Sequence, residues 1–261
     1  MGTNISTDRL ALAIEKIGGI AHVSDAELPD VCDRLFGTRF TAGKAKRFQA
    51  LRTNSVKTEE TFDLGAVREA TLRYVGSLME RATGNGLLLI NCMEKLTMNA
   101  GLETLKTRLN AALDAGIGGI TLAAGLHLSS FRLMQENKRF HDALLGIIVS
   151  SQRALNLFLR KSESTGRLPD YIVVEGPLAG GHLGFGMDWA LYSLPAIVRQ
   201  VKAYLAEKGL SIPVIAAGGV FTGTEAVKMI EENGADGIQA ATRFAVAQES
   251  GLSQAGKTAF F

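Results

Sequence analysis

The sequence has few cysteines, few prolines, little net charge and no long apolar run, and each shortage excludes a class of protein. Its two cysteines, Cys32 and Cys92, lie far apart without the spacing of metal ligands, so neither a disulfide framework nor a zinc site is indicated. This cysteine usage is typical of a reducing compartment, and we expect a cytoplasmic protein. A net charge of only +2 argues against a nucleic-acid-binding protein that relies on bulk electrostatics.

The longest weakly polar run, residues 117–126, is much shorter than the ~20 apolar residues of a membrane-spanning helix, so no membrane segment is expected. Against five prolines stand 29 glycines, which favours tight turns and close backbone approaches over stiff loops. The length of 261 residues suits one large domain. Apolar residues at 46% and charged residues at 21% are typical of a folded globular chain.

Seven short apolar runs alternate with longer amphipathic segments, which is the pattern of a parallel α/β sheet. The runs are residues 18–23, 86–92, 118–123, 144–149, 171–175, 213–217 and 237–241. The amphipathic segments predict helices over residues 7–17, 64–82, 101–115, 151–162, 190–208 and 224–233. Since the runs are apolar throughout, we expect strands covered on both faces, in a closed (β/α)₈ barrel or an open sheet.

The segment from residue 24 to residue 81 is longer than one crossover needs, and we interpret it as an insertion of helical and basic character. Residues 34–58 carry seven basic side chains and no acidic one. A mobile lid or a dock for a phosphorylated ligand would explain this charge, but a solvated insertion is the better interpretation.

Ligands of parallel sheets bind where the strands end, so the residues after the last two runs are informative. Gly218 and Gly219 follow one run, and the turn at residues 239–242 ends the other. Adjacent glycines let the backbone close on an anion, and the N–H groups of a following helix supply donors. A lone Gly-Gly pair would equally be a simple turn, but the two turns together predict a phosphate site.

The run at residues 171–175 leads into a loop, residues 176–186, with five glycines around His182. Such a backbone can lie flat against a planar ligand, and an imidazole exchanges protons near neutral pH. From these residues alone, His182 is equally well a catalytic base or a residue that ties the loop together. His22 and His127 also lie near strand ends, where a packing or surface role is the better interpretation.

Three motifs in this order resemble the nitronate monooxygenase family, formerly called the 2-nitropropane dioxygenases. They are AGGHLG at 179–184, PVIAAGGVFTG at 213–223 and GADGIQAATRFAVAQES at 234–250. Residues 1–24 also resemble the start of that family, and the likeness extends over most of the chain outside the basic insertion. FMN-dependent enoyl-ACP reductases share a similar Gly-Gly-His loop, so the superfamily is better indicated than the individual activity.

The resemblance implies a single TIM-barrel domain over residues 1–261 with non-covalent FMN across its mouth. It implies that His182 is the catalytic base or substrate-orienting group for an alkyl nitronate or nitroalkane, which is oxidised with O₂ to a carbonyl compound and nitrite. By motif position, the residues expected to bind FMN are Met1, Gly2, Asn91, Glu175, Gly180, Gly181, Gly218, Gly219, Gln239, Ala240, Ala241 and Thr242. No metal site is expected.

Other activities stay open at this point. An NAD(P)H-dependent flavin reductase acting on an enoyl thioester or a quinone is the alternative. The third is not enzymatic: a chain that binds flavin or phosphate without turnover, or an incomplete barrel that binds nothing. The sequence also leaves open whether NAD(P)H is used and whether the chain forms a homo-oligomer. It departs from the family at Ala240-Ala241, where relatives have Met-Gly, and at Ala124-Gly125, which resembles a Gly-Ala-Gly turn with one substitution. These departures bear on affinity more than on fold.

Seven runs are one fewer than a closed barrel needs, and Met1-Gly2 matches the turn that follows strand one in the family. We therefore expect an α/β fold of the TIM (β/α)₈ type that lacks strand 1 and its C-terminal end, with the insertion after strand 2. An open barrel leaves strand edges unpaired. On this basis we expect a fragment, or a wrongly started version, of a longer protein.

Overall fold

The computed structural model describes residues 4–43, 63–94, 101–181 and 184–260. Its strands are β1 (Ile20–Ser24), β2 (Leu87–Met93), β3 (Gly119–Ala123), β4 (Leu144–Val149), β5 (Tyr171–Glu175), β6 (Val214–Ala217) and β7 (Gly237–Gln239). Its α-helices are α1 (Asp8–Lys16), α2 (Leu28–Phe36), α3 (Leu64–Glu80), α4 (Gly101–Asp114), α5 (Ser130–Met134), α6 (Gln152–Ser162), α7 (Leu194–Glu207), α8 (Gly223–Glu231), α9 (Thr242–Ala245) and α10 (Gln254–Thr258). Short 3₁₀ helices lie at Glu163–Thr165 and Trp189–Leu191.

All seven strands form one parallel sheet in chain order, each hydrogen-bonded to the next, as the alternating runs predict. Within the described ranges, β1 and β7 are the two edges of the sheet. The segment before α1 contacts the segment after α9. The N–H of Gly251 donates to the carbonyl of Ile5 at 3.1 Å, and the Thr7 hydroxyl donates to the carbonyl of Glu249 at 3.2 Å. The architecture is therefore a curled half-barrel of seven strands, consistent with part of a TIM barrel.

Local side chains explain where several helices begin. The Asp63 carboxylate accepts the N–H of Ala66 at 3.0 Å at the start of α3, and the Ser151 hydroxyl accepts the N–H of Ala154 at 3.2 Å at the start of α6. These bonds satisfy N–H groups that the first turn of a helix leaves free. Gly18, at φ +86°, follows α1 in the left-handed conformation and delays β1 by two residues relative to the apolar run.

Alternate residues of the strands pack with the helices in one apolar core. This helix face of the sheet includes Ala21, Val23, Leu88, Ile90, Cys92, Ile120, Leu122, Leu145, Ile147, Val149, Ile172, Val174, Val214 and Ala216. Side chains of a strand alternate between its two faces, so the intervening residues form the opposite, concave face of the curled sheet. Several residues there are polar, among them His22, Asn91, Thr121, Tyr171 and Glu175. The strands are covered on both faces over much of their length, as expected, and the concave face carries these polar residues beside apolar ones such as Leu89 and Val173.

Two helices, α2 and α3, lie within the segment predicted as an insertion. They are joined where the Cys32 thiol donates to the carbonyl of Ala70 at 3.3 Å, and both residues are fully buried. Residues 44–62, which hold most of the basic side chains, lie outside the described residues. In the described part of the chain, no helix combines the length and apolar character needed to cross a membrane.

Candidate active site

The predicted site residues that the structure describes lie at or just beyond the carboxyl ends of four strands. Because the sheet is wholly parallel, these ends share one edge of the half-barrel. Asn91 lies near the end of β2, Glu175 ends β5, and Gln239 ends β7. The pair Gly218-Gly219 follows β6 directly. This carboxyl edge is where ligands of parallel α/β proteins bind.

Asn91 is a buried polar residue with an unsatisfied atom. It is 3% exposed, and its Oδ1 atom has no hydrogen-bond partner among the described residues. It lies on the concave face, in register with Ser24 of β1 and Thr121 of β3. A buried acceptor without a donor costs free energy, typically about 1–3 kcal/mol, and its presence in a folded protein calls for an explanation. A ligand that donates a hydrogen bond at this edge would supply the missing partner.

Glu175 places a carboxyl group at the same edge. It is half-buried and pairs in register with Ala217 of β6, and burial raises its pKa above the usual value. In the described ranges it forms no salt bridge. A carboxyl group in this setting can donate or accept a hydrogen bond according to its protonation state.

The turn after β6 needs glycine at two consecutive positions. Gly218 and Gly219 have φ angles of +94° and +82°, a region that side chains disfavour. A Cβ atom on Gly218 would lie 2.8 Å from the backbone nitrogen of Ala179, and one on Gly219 would lie 3.0 Å from Cδ1 of Leu178. The turn after β6 therefore packs closely against the loop after β5, and the structure brings these two predicted glycine segments together.

Gly180 and Gly181 continue that loop in a different environment. Gly181 has a φ angle of +97°, and a Cβ atom on either glycine would meet no other described residue within 4 Å. The described part of the chain thus leaves space beside this backbone, as a surface that receives a ligand requires.

The turn after β7 carries the remaining predicted phosphate residues. Gln239 is half-buried and pairs with Ala217, Ala240 follows it, and Thr242 begins the short helix α9. Ala241 has a φ angle of −126°, outside the left-handed region. Alanine therefore fits this backbone without conformational strain, although relatives were expected to have glycine here.

Two N–H groups just before α8, those of Phe221 and Thr222, are already bonded within the chain, so the predicted helix donors to an anion are those of Gly223 and Thr224. Glu225 accepts both of these N–H groups on Oε2, at 2.8 Å and 2.7 Å. The Thr222 hydroxyl accepts the N–H of Glu225 in return, which completes a capping box. These hydrogen bonds lower the pKa of Glu225, and the one from the Thr222 N–H has the largest effect. They keep a negative charge at this end of the helix.

Three predicted site residues, Met1, Gly2 and His182, lie outside the described residues. The catalytic assignment of His182 therefore stays a prediction. Among the described residues, no group of three or more His, Cys, Asp or Glu side chains is arranged to hold a metal ion.

His127 has a packing role, as the sequence favours. It is 2% exposed, and its ring nitrogens bond the hydroxyl of Ser130 at 2.8 Å and the carbonyl of Ala123 at 2.7 Å. Its backbone N–H donates to the carboxylate of Glu94 at 3.1 Å. Burial lowers the pKa of His127, which favours the neutral ring.

Three polar side chains form a hydrogen-bonded chain on the concave face, which no local sequence pattern predicts. Nε2 of His22 lies 2.6 Å from the hydroxyl of Thr121, which lies 2.5 Å from the hydroxyl of Tyr171. The chain therefore links β1, β3 and β5. Gly146 of β4 makes room for it, because a Cβ atom there would collide with the Tyr171 ring. Of the three members of this chain, only His22 is singled out by the sequence, for its position near a strand end.

A cavity of about 610 Å³ adjoins the glycine turn after β6. Its walls include Leu178, Trp189, Tyr192 and Gly219. The volume is within the range of small-molecule sites, and aromatic side chains are typical linings of such sites.

Comparison with known proteins agrees with this geometry. The family model described as nitronate monooxygenase matches residues 87–261, which is more than half of the chain and includes β2 to β7. A probable nitronate monooxygenase of Staphylococcus saprophyticus is 28% identical over 152 residues, which cover 58% of this chain and 40% of that protein. Another, of Staphylococcus haemolyticus, is 36% identical over 90 residues, covering 34% of this chain and 25% of that protein. The matches thus span less than half the length of either relative. The family model, however, covers most of the sheet, and it shows that the chain belongs to the nitronate monooxygenase family.

Proposed function

We propose that the chain is an FMN-dependent oxidoreductase that oxidises alkyl nitronates or nitroalkanes with O₂ to carbonyl compounds and nitrite. The unsatisfied Oδ1 of Asn91, buried near the carboxyl edge, is the observation that carries the proposal, because a ligand donor at this position removes an uncompensated cost. Family membership gives the class of chemistry. Substrate and O₂ are then the partners of the reaction.

The residues at the carboxyl edge fit a flavin mononucleotide. Asn91 and Glu175 offer hydrogen-bonding groups to the polar edge of a flat ring, and the open backbone at Gly180 and Gly181 leaves room for the ring itself. The turns at residues 218–219 and 239–242 would hold the phosphate. Bound FMN would supply the two-electron redox chemistry, taking electrons from the organic substrate and delivering them to O₂.

His182 is proposed to act on the proton at the α-carbon of a nitroalkane. A neutral imidazole can remove this proton, whereas an alkyl nitronate has already lost it. Replacement of His182 by alanine should therefore reduce turnover of nitroethane far more than turnover of ethyl nitronate, with flavin binding retained. Equal losses with both substrates would indicate an orienting role, and loss of flavin would indicate a structural one.

Anaerobic mixing of the FMN-loaded chain with single reductants tests the proposal. Ethyl nitronate should abolish the visible flavin absorbance, and admission of O₂ should restore it with formation of nitrite. Loss of absorbance with NADH or NADPH but not with nitronate would overturn the proposal in favour of a flavin reductase. A chain that stays colourless after incubation with FMN and desalting would exclude flavin chemistry altogether.

A further inference from the structure

The turn after β6 presents a charge problem for the proposed phosphate site. The carboxylate of Glu225 occupies the start of α8, where it takes the N–H groups of Phe221 and Thr222. A phosphate at the neighbouring Gly218-Gly219 turn could not bind these two N–H groups, and it would be repelled by the negative charge of Glu225. A cation close to this turn would offset both effects.

Arg243 is a cation whose side chain contacts the segment that follows this turn. It is in the first turn of α9, directly after the turn at residues 239–242, and its guanidinium carbon lies 5.0 Å from the centre of the Phe221 ring. Phe221 belongs to the segment after β6, so this cation–π contact joins the two turns expected to hold the phosphate.

The contact leaves the arginine free to bind an anion. Both side chains are on exposed residues, and within the described part of the chain Arg243 forms no salt bridge. A guanidinium stacked on a ring keeps its N–H groups available along the edge of its plane, where they match a phosphate in a bidentate manner. The ring fixes the position of the plane, which reduces the side-chain entropy lost on binding.

We propose that Arg243 is a phosphate-binding residue, held in place by Phe221, which supplies the positive charge that the Glu225 capping box makes necessary. The ligand group is the terminal phosphate monoester of a flavin nucleotide, so this inference rests on the proposed function.

Paired titrations with FMN and riboflavin, followed by flavin fluorescence, separate a phosphate contact from a structural role. The unchanged chain should bind FMN more tightly than riboflavin. The variant Arg243→Ala should weaken FMN binding about tenfold or more, because a charge-assisted hydrogen bond is lost. Its affinity for riboflavin should stay within about twofold, because riboflavin has no phosphate. Arg243→Lys should give an intermediate loss, since it keeps the charge without the planar fork.

Phe221→Leu tests the role of the ring and should weaken FMN binding in the same phosphate-selective way, by less than Arg243→Ala. Arg160→Ala is the matched control, because it removes an exposed arginine from the last turn of α6 and should leave both affinities unchanged. Equal weakening of FMN and riboflavin by Arg243→Ala, or no weakening of either, would overturn the assignment of Arg243 while leaving the proposed function intact. A chain that binds neither flavin rejects the proposed function, and this assignment with it.

Discussion

The two faces of the sheet are equally well buried over much of their area but differ in chemistry. Ile120 and Thr121 are neighbours in β3, and both are 0% exposed. Ile120 packs in the apolar core with the helices, whereas Thr121 bonds His22 and Tyr171 on the concave face. At this pair of positions the helix face is therefore stabilised by apolar burial, and the concave face by specific hydrogen bonds.

This difference suggests separate roles for the two faces of each strand: helix-face residues contribute mainly to stability, and concave-face residues can also contact a ligand. Residues on the helix face can change with little consequence for a ligand, because they point away from the concave face on which Asn91 lies. Polar residues on the concave face hold the strands in a defined arrangement and leave Asn91 and Glu175 as hydrogen-bonding groups near the edge. Four predictions test how strict this division is, from the largest expected effect to the smallest.

The first prediction breaks a charged pair that lies among the helix-face residues. Asp25 directly follows β1 and is 2% exposed, and Arg108 of α4 bonds both its carboxylate and, at 2.9 Å, the carbonyl of Met93. Replacement of Arg108 by alanine leaves a buried carboxylate without its counter-ion, and we expect the free energy of unfolding to fall by about 3–5 kcal/mol. Urea denaturation followed by circular dichroism measures this change.

The matched control for Arg108→Ala is a surface ion pair. Arg68 and Asp114 lie 2.7 Å apart with both side chains substantially exposed. Replacement of Arg68 by alanine should cost less than about 1 kcal/mol, because water screens an exposed pair. Similar losses for the two variants would show that the buried pair contributes no more than a surface one.

The second prediction compares the two faces at adjacent positions. Replacement of Ile120 by alanine removes buried methyl groups from the apolar core and should lower the free energy of unfolding by about 3 kcal/mol. Replacement of Thr121 by valine keeps the volume but removes a hydroxyl, and should cost about 1–2 kcal/mol. Only the second change should disturb the chain from His22 to Tyr171. Chemical denaturation of both variants provides the comparison, and a larger loss for Thr121→Val would reverse the proposed division between the faces.

The third prediction concerns pH and the concave face. Burial lowers the pKa of His22 to about 4, whereas the unfolded chain has an ordinary histidine pKa near 6.5. Below pH ~6.5 the unfolded state therefore binds a proton that the folded state excludes, so stability is lost as the pH falls from ~6.5 to ~4 and levels off below that. The loss should be about 3 kcal/mol as an order of magnitude, since each unit of pKa difference corresponds to about 1.4 kcal/mol.

Replacement of His22 by glutamine isolates this contribution. The difference in unfolding free energy between the variant and the unchanged chain should vary with pH between ~6.5 and ~4 and be constant above ~7. His127 titrates in both proteins and cancels in the difference. A difference that does not change with pH would mean that His22 is protonated equally in both states.

The strands were predictable from the sequence because each is a local apolar run bounded by turn residues. The run at 144–149 matches β4 at both ends, and the run at 171–175 matches β5. The predicted run begins at residue 18, whereas β1 begins at residue 20, because Gly18 adopts a left-handed conformation that the sequence pattern does not indicate. The clustering of Asn91 and Glu175 near one edge follows from the parallel order of the sheet, which the alternation of strands and helices already indicates.

The parts that were missed depend on distant partners or on a local pattern that was overlooked. Thr121 contacts side chains 99 and 50 residues away, and nothing near it in the sequence predicts either bond. The capping box at Thr222 and Glu225 could be predicted from the sequence, because a threonine followed three residues later by glutamate is typical of a helix start. That pattern would have shown that N–H groups at the start of α8 are engaged by the chain itself.

The last prediction is the smallest and concerns the turn after β3, at the same carboxyl edge. Ala124 has a φ angle of +55° in the left-handed region, where a Cβ atom costs roughly 1–2 kcal/mol and glycine costs little. Replacement of Ala124 by glycine should raise the free energy of unfolding by about 0.5–1 kcal/mol, since greater freedom of glycine in the unfolded chain offsets part of the gain. Replacement of the neighbouring Ala123 by glycine should instead lower the free energy of unfolding by roughly 1 kcal/mol. Ala123 lies within β3, and its extended backbone gains nothing from glycine. Thermal and urea unfolding of the two variants give the sign of each change. Destabilisation by both would mean that packing of the Ala124 methyl group outweighs its strain, and that the turn is held by side-chain contacts as the helix face is.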